Sequence, residues 1–147
     1  MYAMLGEGDV ALDYFKQLNS QFIQPNTLYK ESGPVIETPL ALAASLQEMS
    51  LQFWNGIVRV FPAIPSSWKN VSFSNFRTDG AFLISAKKED GVTKKIEIFS
   101  EYGGIIKLLV DGELQNVEIK GNGKVISRQG SLYEISLPKG TKAVLYN

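Results

Sequence analysis

The sequence predicts an α+β chain: a short helical N-terminal part followed by an antiparallel β-sandwich. Apolar residues recur at three- and four-residue steps up to about residue 56 and alternate with polar ones beyond it. Turn pairs such as Asp79-Gly80, Asp90-Gly91 and Asn122-Gly123 punctuate only the second stretch. Charge is divided at the same place. Residues 1–56 carry six acids against Lys16 and Lys30, while the remainder carries nine acids against thirteen bases. A boundary near Gly56 therefore separates a helical segment, 1–56, from a sandwich domain, 57–147.

The helical part divides into two elements. After the Gly6-Glu7-Gly8 break, Asp9 is a plausible N-cap, and Ala11, Tyr14, Phe15, Leu18 and Phe22 make one apolar stripe. Residues 24–38, with Pro25, Asn26, Gly33 and Pro34, read as a loop. A second helix is expected from Pro39, a favourable first-turn residue, to Asn55, with Gly56 as its stop. Leu42, Leu46, Met49 and Phe53 form its main stripe, and Leu40, Ala44, Leu51 and Trp54 lie opposite. A helix apolar on two sides is buried on two sides. Two helices cannot supply the second partner, so this points to a piece of something larger, or to a twofold homodimer pairing like faces.

Beyond Ile57 the sequence gives eight strand-like runs: Val71–Thr78, Ala81–Lys88, Thr93–Ser100, Ile105–Val110, Val117–Lys120, Val125–Arg128, Leu132–Leu137 and Ala143–Tyr146. Phe82, Ile84 and Ala86 alternate with polar neighbours, as do Ile96 and Ile98. Asp-Gly and Asn-Gly suit primed hairpin turns, whose central residues need positive φ, so an antiparallel meander is expected. Gly121-Asn122-Gly123 is read as one such hairpin turn.

Composition narrows the chemistry. The 147 residues contain no histidine and no cysteine. That removes Ser-His-Asp and Cys-His nucleophiles, disulfides and His/Cys metal sites. No cofactor or metal is expected. The 15 basic and 15 acidic residues cancel, so no global field draws in nucleic acid. Lys87-Lys88 and Lys94-Lys95 are interspersed with Glu89, Asp90 and Glu97 and read as a solvated face. No apolar run reaches the ~20 residues of a membrane span. The first nine residues lack the basic and apolar regions of a secretory signal. Lack of cysteine fits exported and cytosolic chains alike.

Carboxylates remain as catalytic candidates. Asp13, Glu31, Glu89, Glu101 and Glu113 fall on expected exposed faces or turns. Glu37 differs, because it follows Val35-Ile36 and directly precedes the second helix. There it can accept backbone N–H bonds and interact with the helix dipole. By residue type alone, helix capping is favoured over catalysis.

Residues 34–65 read PVIETPLALAASLQEMSLQFWNGIVRVFPAIP, followed by Ser67-Trp68 and then FSNFRTDGAFLISAKKEDG. This stretch resembles the C-terminal end of the inverting α-L-fucosidases of glycoside hydrolase family 95. In that family a Gln-Ile-Asp-Gly-Asn loop opens the last inner helix of an (α/α)₆ barrel. A Leu-Pro-Ala-Leu-Pro turn, a small-residue-Trp pair and a β-sandwich follow. Ala43-Ala44, Leu46-Gln47-Glu48-Met49 and Phe61-Pro62-Ala63-Ile64-Pro65 match in order, and the likeness covers roughly residues 2–110.

The resemblance implies that residues 1–56 are the remnant of such a barrel, with Met1 inside the parent, as in an excerpt or a truncated reading frame. It also implies carbohydrate, a fucosyl or related glycan, as the parent's substrate. Inverting glycosidases pair a general acid with a carboxylate that activates water. Val35-Ile36-Glu37-Thr38-Pro39 occupies the place of the family's aspartate loop, which implies Glu37 as the water-activating base. Glutamate here replaces aspartate, and Thr38-Pro39-Leu40-Ala41 replaces Gly-Asn-Phe-Gly. The general acid belongs to earlier barrel helices, so the chain alone is expected to be inactive. The rival reading is an independent β-sandwich accessory or carbohydrate-binding module with a helical extension. Exposed Phe73, Phe76, Tyr102 or Tyr133 would favour it, although aromatics alternating in strands are more often core.

Overall fold

The computed structural model describes residues 1–26, 29–30 and 36–147. Among these residues ten strands form two five-stranded sheets: β1 (Leu51–Trp54), β2 (Ile57–Val60), β3 (Val71–Thr78), β4 (Phe82–Glu89), β5 (Val92–Ser100), β6 (Gly104–Val110), β7 (Asn116–Lys120), β8 (Lys124–Gln129), β9 (Leu132–Leu137) and β10 (Lys142–Tyr146). One sheet runs β1-β2-β6-β9-β8 and the other β3-β4-β5-β10-β7. Period-two alternation points one side of each strand inward. Ile84, Ile96, Ile98, Leu108, Tyr133, Ile135, Leu137 and Leu145 fill the space between the sheets and are fully buried.

Two features depart from the expected meander. The β2–β6 pair is parallel, Val58 facing Leu108 and Val60 facing Val110. Gly121-Asn122-Gly123 is not a hairpin turn: β7 pairs with β10 and β8 with β9, so the segment carries the chain from one sheet to the other. A Cβ on Gly123 would meet the Ser136 carbonyl oxygen at 2.9 Å and the Ile119 and Leu137 side chains, so the crossing backbone lies against β9. Asp90-Gly91 is a two-residue turn with positive φ at both positions, as the dipeptide requires.

Among the described residues two helices pack beside the sandwich, α1 (Gly8–Phe22) and α2 (Glu37–Ser50), preceded by a 3₁₀ turn at Tyr2–Leu5. Helix α1 begins at Gly8, so Asp9 lies in its first turn rather than at the cap. Asp9 holds the post-turn loop instead. Its Oδ1 accepts from the Ser66 amide at 2.8 Å and from the Ser66 hydroxyl at 3.1 Å. Gly8 sits so close to the Pro62-Ala63-Ile64-Pro65 turn that a Cβ would meet the Ala63 carbonyl oxygen at 2.3 Å. Ala3, Ala11, Met49 and Ala63 close this small core, with Tyr2, Leu12 and Phe15 at its margin. The proline-rich turn thus clasps the helices to the sheet.

Helix α2 is shorter than expected and starts earlier. It stops at Ser50, where Leu51 turns extended at φ −144° and ψ 128°. Leu51–Trp54, expected as the last helical turn, is instead a strand paired with β2, Trp54 opposite Ile57 and Gln52 opposite Arg59. Asn55 (φ 53°) and Gly56 (φ 72°) form the tight turn between them, so Gly56 joins two strands and does not stop a helix. In the expected loop at 24–38, Glu31, Gly33, Pro34 and Val35 lie outside the described residues.

Candidate functional site

Glu37 is the first residue of α2 and is solvent-exposed. Ile36, the N-cap residue before it, makes no side-chain cap bond. An acid in the first turn still interacts favourably with the exposed N–H groups of the helix start. Glu37 borders a shallow depression of about 340 Å³ between the helices, with Leu18, Thr38, Ala41, Leu42 and Ser45. Among the described residues it is the one ionisable residue lining that depression. An inverting hydrolase needs a second carboxyl facing the first, and the described residues bring none to this depression.

Several other carboxylates are paired elsewhere. Glu97 accepts from Lys142 at 2.8 Å and pairs with Lys95 at 2.6 Å, and Arg77 pairs with Glu101 at 2.6 Å. Asp13 lies exposed near Lys16. Among the described residues no cluster of acids is placed to hold a metal ion. Lys87, Lys94 and Lys95 are exposed as expected, but Lys88 is not on a solvated face. It is buried, bonded to Asp111 and placed 5.8 Å from the centre of the Phe61 ring. β4 ends facing inward there, and an ion pair with aromatic contact accommodates the ammonium.

Of the aromatics a sugar surface would need, Phe73 and Tyr133 are core. The Tyr133 hydroxyl donates to the Leu114 carbonyl at 2.7 Å and accepts from its amide at 3.0 Å. Phe76 is half-buried, and Tyr102 stands 79% exposed in the turn after β5.

A different aromatic lines a cleft. The side of the β1–β2 hairpin turned away from the core carries Gln52, Trp54, Ile57 and Arg59. The Arg59 guanidinium lies 3.6 Å from the centre of the Trp54 ring. Arg59 Nη1 donates to the carbonyls of Trp54 at 3.0 Å and Ile57 at 3.1 Å. The Trp54 indole N–H donates to Gln52 Oε1 at 3.3 Å. Buried Gln52 in turn donates to the carbonyls of Ala3 at 2.6 Å and Glu48 at 2.9 Å, tying the hairpin to the 3₁₀ turn and α2. Together they line a cleft of about 480 Å³ whose walls include Leu5, Pro62 and Leu109. Reading Trp54 as helical hid this pair. The Asn55-Gly56 dipeptide between the two residues was the signal that exposes it.

The pattern that defines the C-terminal domain of glycoside hydrolase family 95 matches residues 52–144. The chain belongs to this family. No curated protein matches it. The matched span opens at the second residue of β1 and closes within β10, so it takes in both sheets of the sandwich. The Trp54–Arg59 pair lies inside the family 95 domain, and Glu37 lies before it.

Proposed function

We propose that this chain is the C-terminal part of an inverting, α-L-fucosidase-like glycoside hydrolase acting on a fucosyl or related glycan. In this reading Glu37 activates the attacking water, and the helical residues before β1, 1–50, are the end of an (α/α)₆ barrel whose described residues supply no acid partner. One observation supports it most. An exposed carboxylate, in no ion pair among the described residues, opens the helix that runs directly into the family 95 C-terminal domain. General acid catalysis contributes about 10²–10⁴-fold, so a chain without the acid is expected to be silent.

The test is release of nitrophenol from aryl α-L-fucosides. The chain alone is expected to stay at background. Joined to an upstream barrel from the same reading frame, it is expected to turn over, and Glu37→Gln is expected to lower that rate by about 10²-fold or more. Turnover indifferent to Glu37 sinks its role, and an extended protein active on other glycosides but not fucosides sinks the sugar assignment.

A second reading, an accessory carbohydrate-binding role for the sandwich, is favoured by the Trp54 ring, which stays 42% exposed beside a cleft in the family domain. Flat aromatic faces are large contact surfaces that lose little conformational freedom on binding.

A further inference from the structure

The Trp54–Arg59 cleft has unused chemistry. A guanidinium carries five N–H donors in a planar fork. Among the described residues only Nη1 of Arg59 is bonded, to two carbonyls of its own hairpin. Among the described residues no carboxylate forms an ion pair with Arg59. Asp111, the one acid lining the cleft, is taken by Lys88. Burial lowers the proton affinity of Arg59, yet a guanidinium remains charged at neutral pH. The cleft therefore presents a fixed cation with its Nε and Nη2 donors open and no compensating anion.

The parts are also held in place before any ligand arrives. Gln52 uses both amide hydrogens and its oxygen to fix the Trp54 ring relative to the 3₁₀ turn and α2. Two carbonyls and the ring face fix Arg59. Preorganised groups of this kind lose little freedom on binding. The volume, about 480 Å³, falls within the range of small-molecule sites.

We propose that this cleft binds a carboxylate-bearing sugar, a uronic acid unit of a glycan, its carboxylate on the open fork of Arg59 and its ring against Trp54 and the apolar wall. The carboxylate follows from Arg59, whose fork matches two carboxylate oxygens. The sugar follows from the accessory-binding reading above, on which this part rests. A neutral sugar would leave the guanidinium uncompensated. The site is separate from Glu37. The fourteen residues of α2, which begins at Glu37, carry the chain about 21 Å at 1.5 Å per residue before β1.

The experiment titrates the full chain with trigalacturonate and with its methyl ester, following the indole N–H resonances of Trp54 and Trp68. The acid is expected to shift Trp54 saturably while Trp68, which does not line the cleft, stays still and reports that the fold is intact. The methyl ester and the Arg59→Gln variant are each expected to bind about tenfold more weakly or worse, and Arg59→Lys to fall between. Equal binding of acid and ester overturns the proposal, as does binding unchanged in Arg59→Gln or no Trp54 shift at millimolar ligand. Acetate binding as tightly as trigalacturonate overturns the sugar and with it the accessory reading, whereas fucoside turnover tests Glu37 independently.

Discussion

Glu97 shows how a single side chain couples the sandwich to pH. Lys142, hydrogen-bonded across the β5–β10 pair, and then Lys95 hold its carboxyl below the ordinary glutamate value, against a smaller opposing effect of burial. A depressed folded value means stability that is present above the unfolded pKa, about 4.3, and is lost as pH falls through the folded one. Partly exposed pairs of this kind contribute about 0.2–1 kcal/mol each. Glu97→Gln is therefore expected to lower the melting temperature by about 2–4 °C at pH 7, with the gap to wild type closing below about pH 4. Parallel melting scans from pH 7 to pH 3 check this, and a gap that widens on acidification refutes it. The residue scale is also where the sequence was least legible. Lys88 and Lys87 are neighbours of one type, yet only the three-dimensional position of Asp111 and Phe61 makes one of them a buried cation. Trp54 and Arg59 meet across a turn, a contact that spacing along the chain does not display until the turn itself is recognised.

At the scale of elements, strands were legible because alternation and turn chemistry agree locally. Val71–Thr78 and Leu132–Leu137 match β3 and β9 to the residue, and the other six runs match within one or two residues at each end. The β1–β2 hairpin was hidden for a physical reason. Leu42, Leu46, Met49 and Phe53 keep helical spacing straight through Ser50, so periodicity alone extends the helix. Tertiary pairing overrides it. The Phe61 amide donates to the Ser50 carbonyl at 2.8 Å and the Ala63 amide to the Met49 carbonyl at 3.2 Å, which engages the end of α2 with the proline-rich turn. The sheet then begins at Leu51, and the place to cut the chain is before β1. A protein of residues 51–147 is expected to fold with β-type circular dichroism. One of residues 57–147 lacks the β1 ladder and leaves β2 as a raw edge, and it is expected to melt about 5 °C lower or more. Equal melting of the two would return the boundary to Gly56.

For the whole molecule, the helices pose the remaining question. The expected second apolar face, Leu40, Ala44, Leu51 and Trp54, does not exist as a helix face, because Leu51 and Trp54 belong to β1. What remains on α2 is narrower: Ile36, Leu40 and Leu46 are 66%, 61% and 43% exposed. At about 100° per residue they fall within roughly a third of the helix circumference. We propose that this stripe pairs with its copy in a twofold dimer, since like faces of an isologous interface meet. Area sets the strength. A stripe of a few hundred Å² is well below the ~800 Å² per partner of a standard interface, so association should be weak and concentration-dependent. Sedimentation is expected to show monomer at low micromolar and dimer at high micromolar concentration. Leu40→Lys with Leu46→Lys should abolish the dimer while leaving the sandwich intact. Substitution of Trp54 should leave the dimer unchanged, because that ring faces its own cleft. A wild-type chain that remains monomeric at high micromolar concentration, or a dimer that survives both lysines, would place the contact elsewhere and free this stripe for a different covering element.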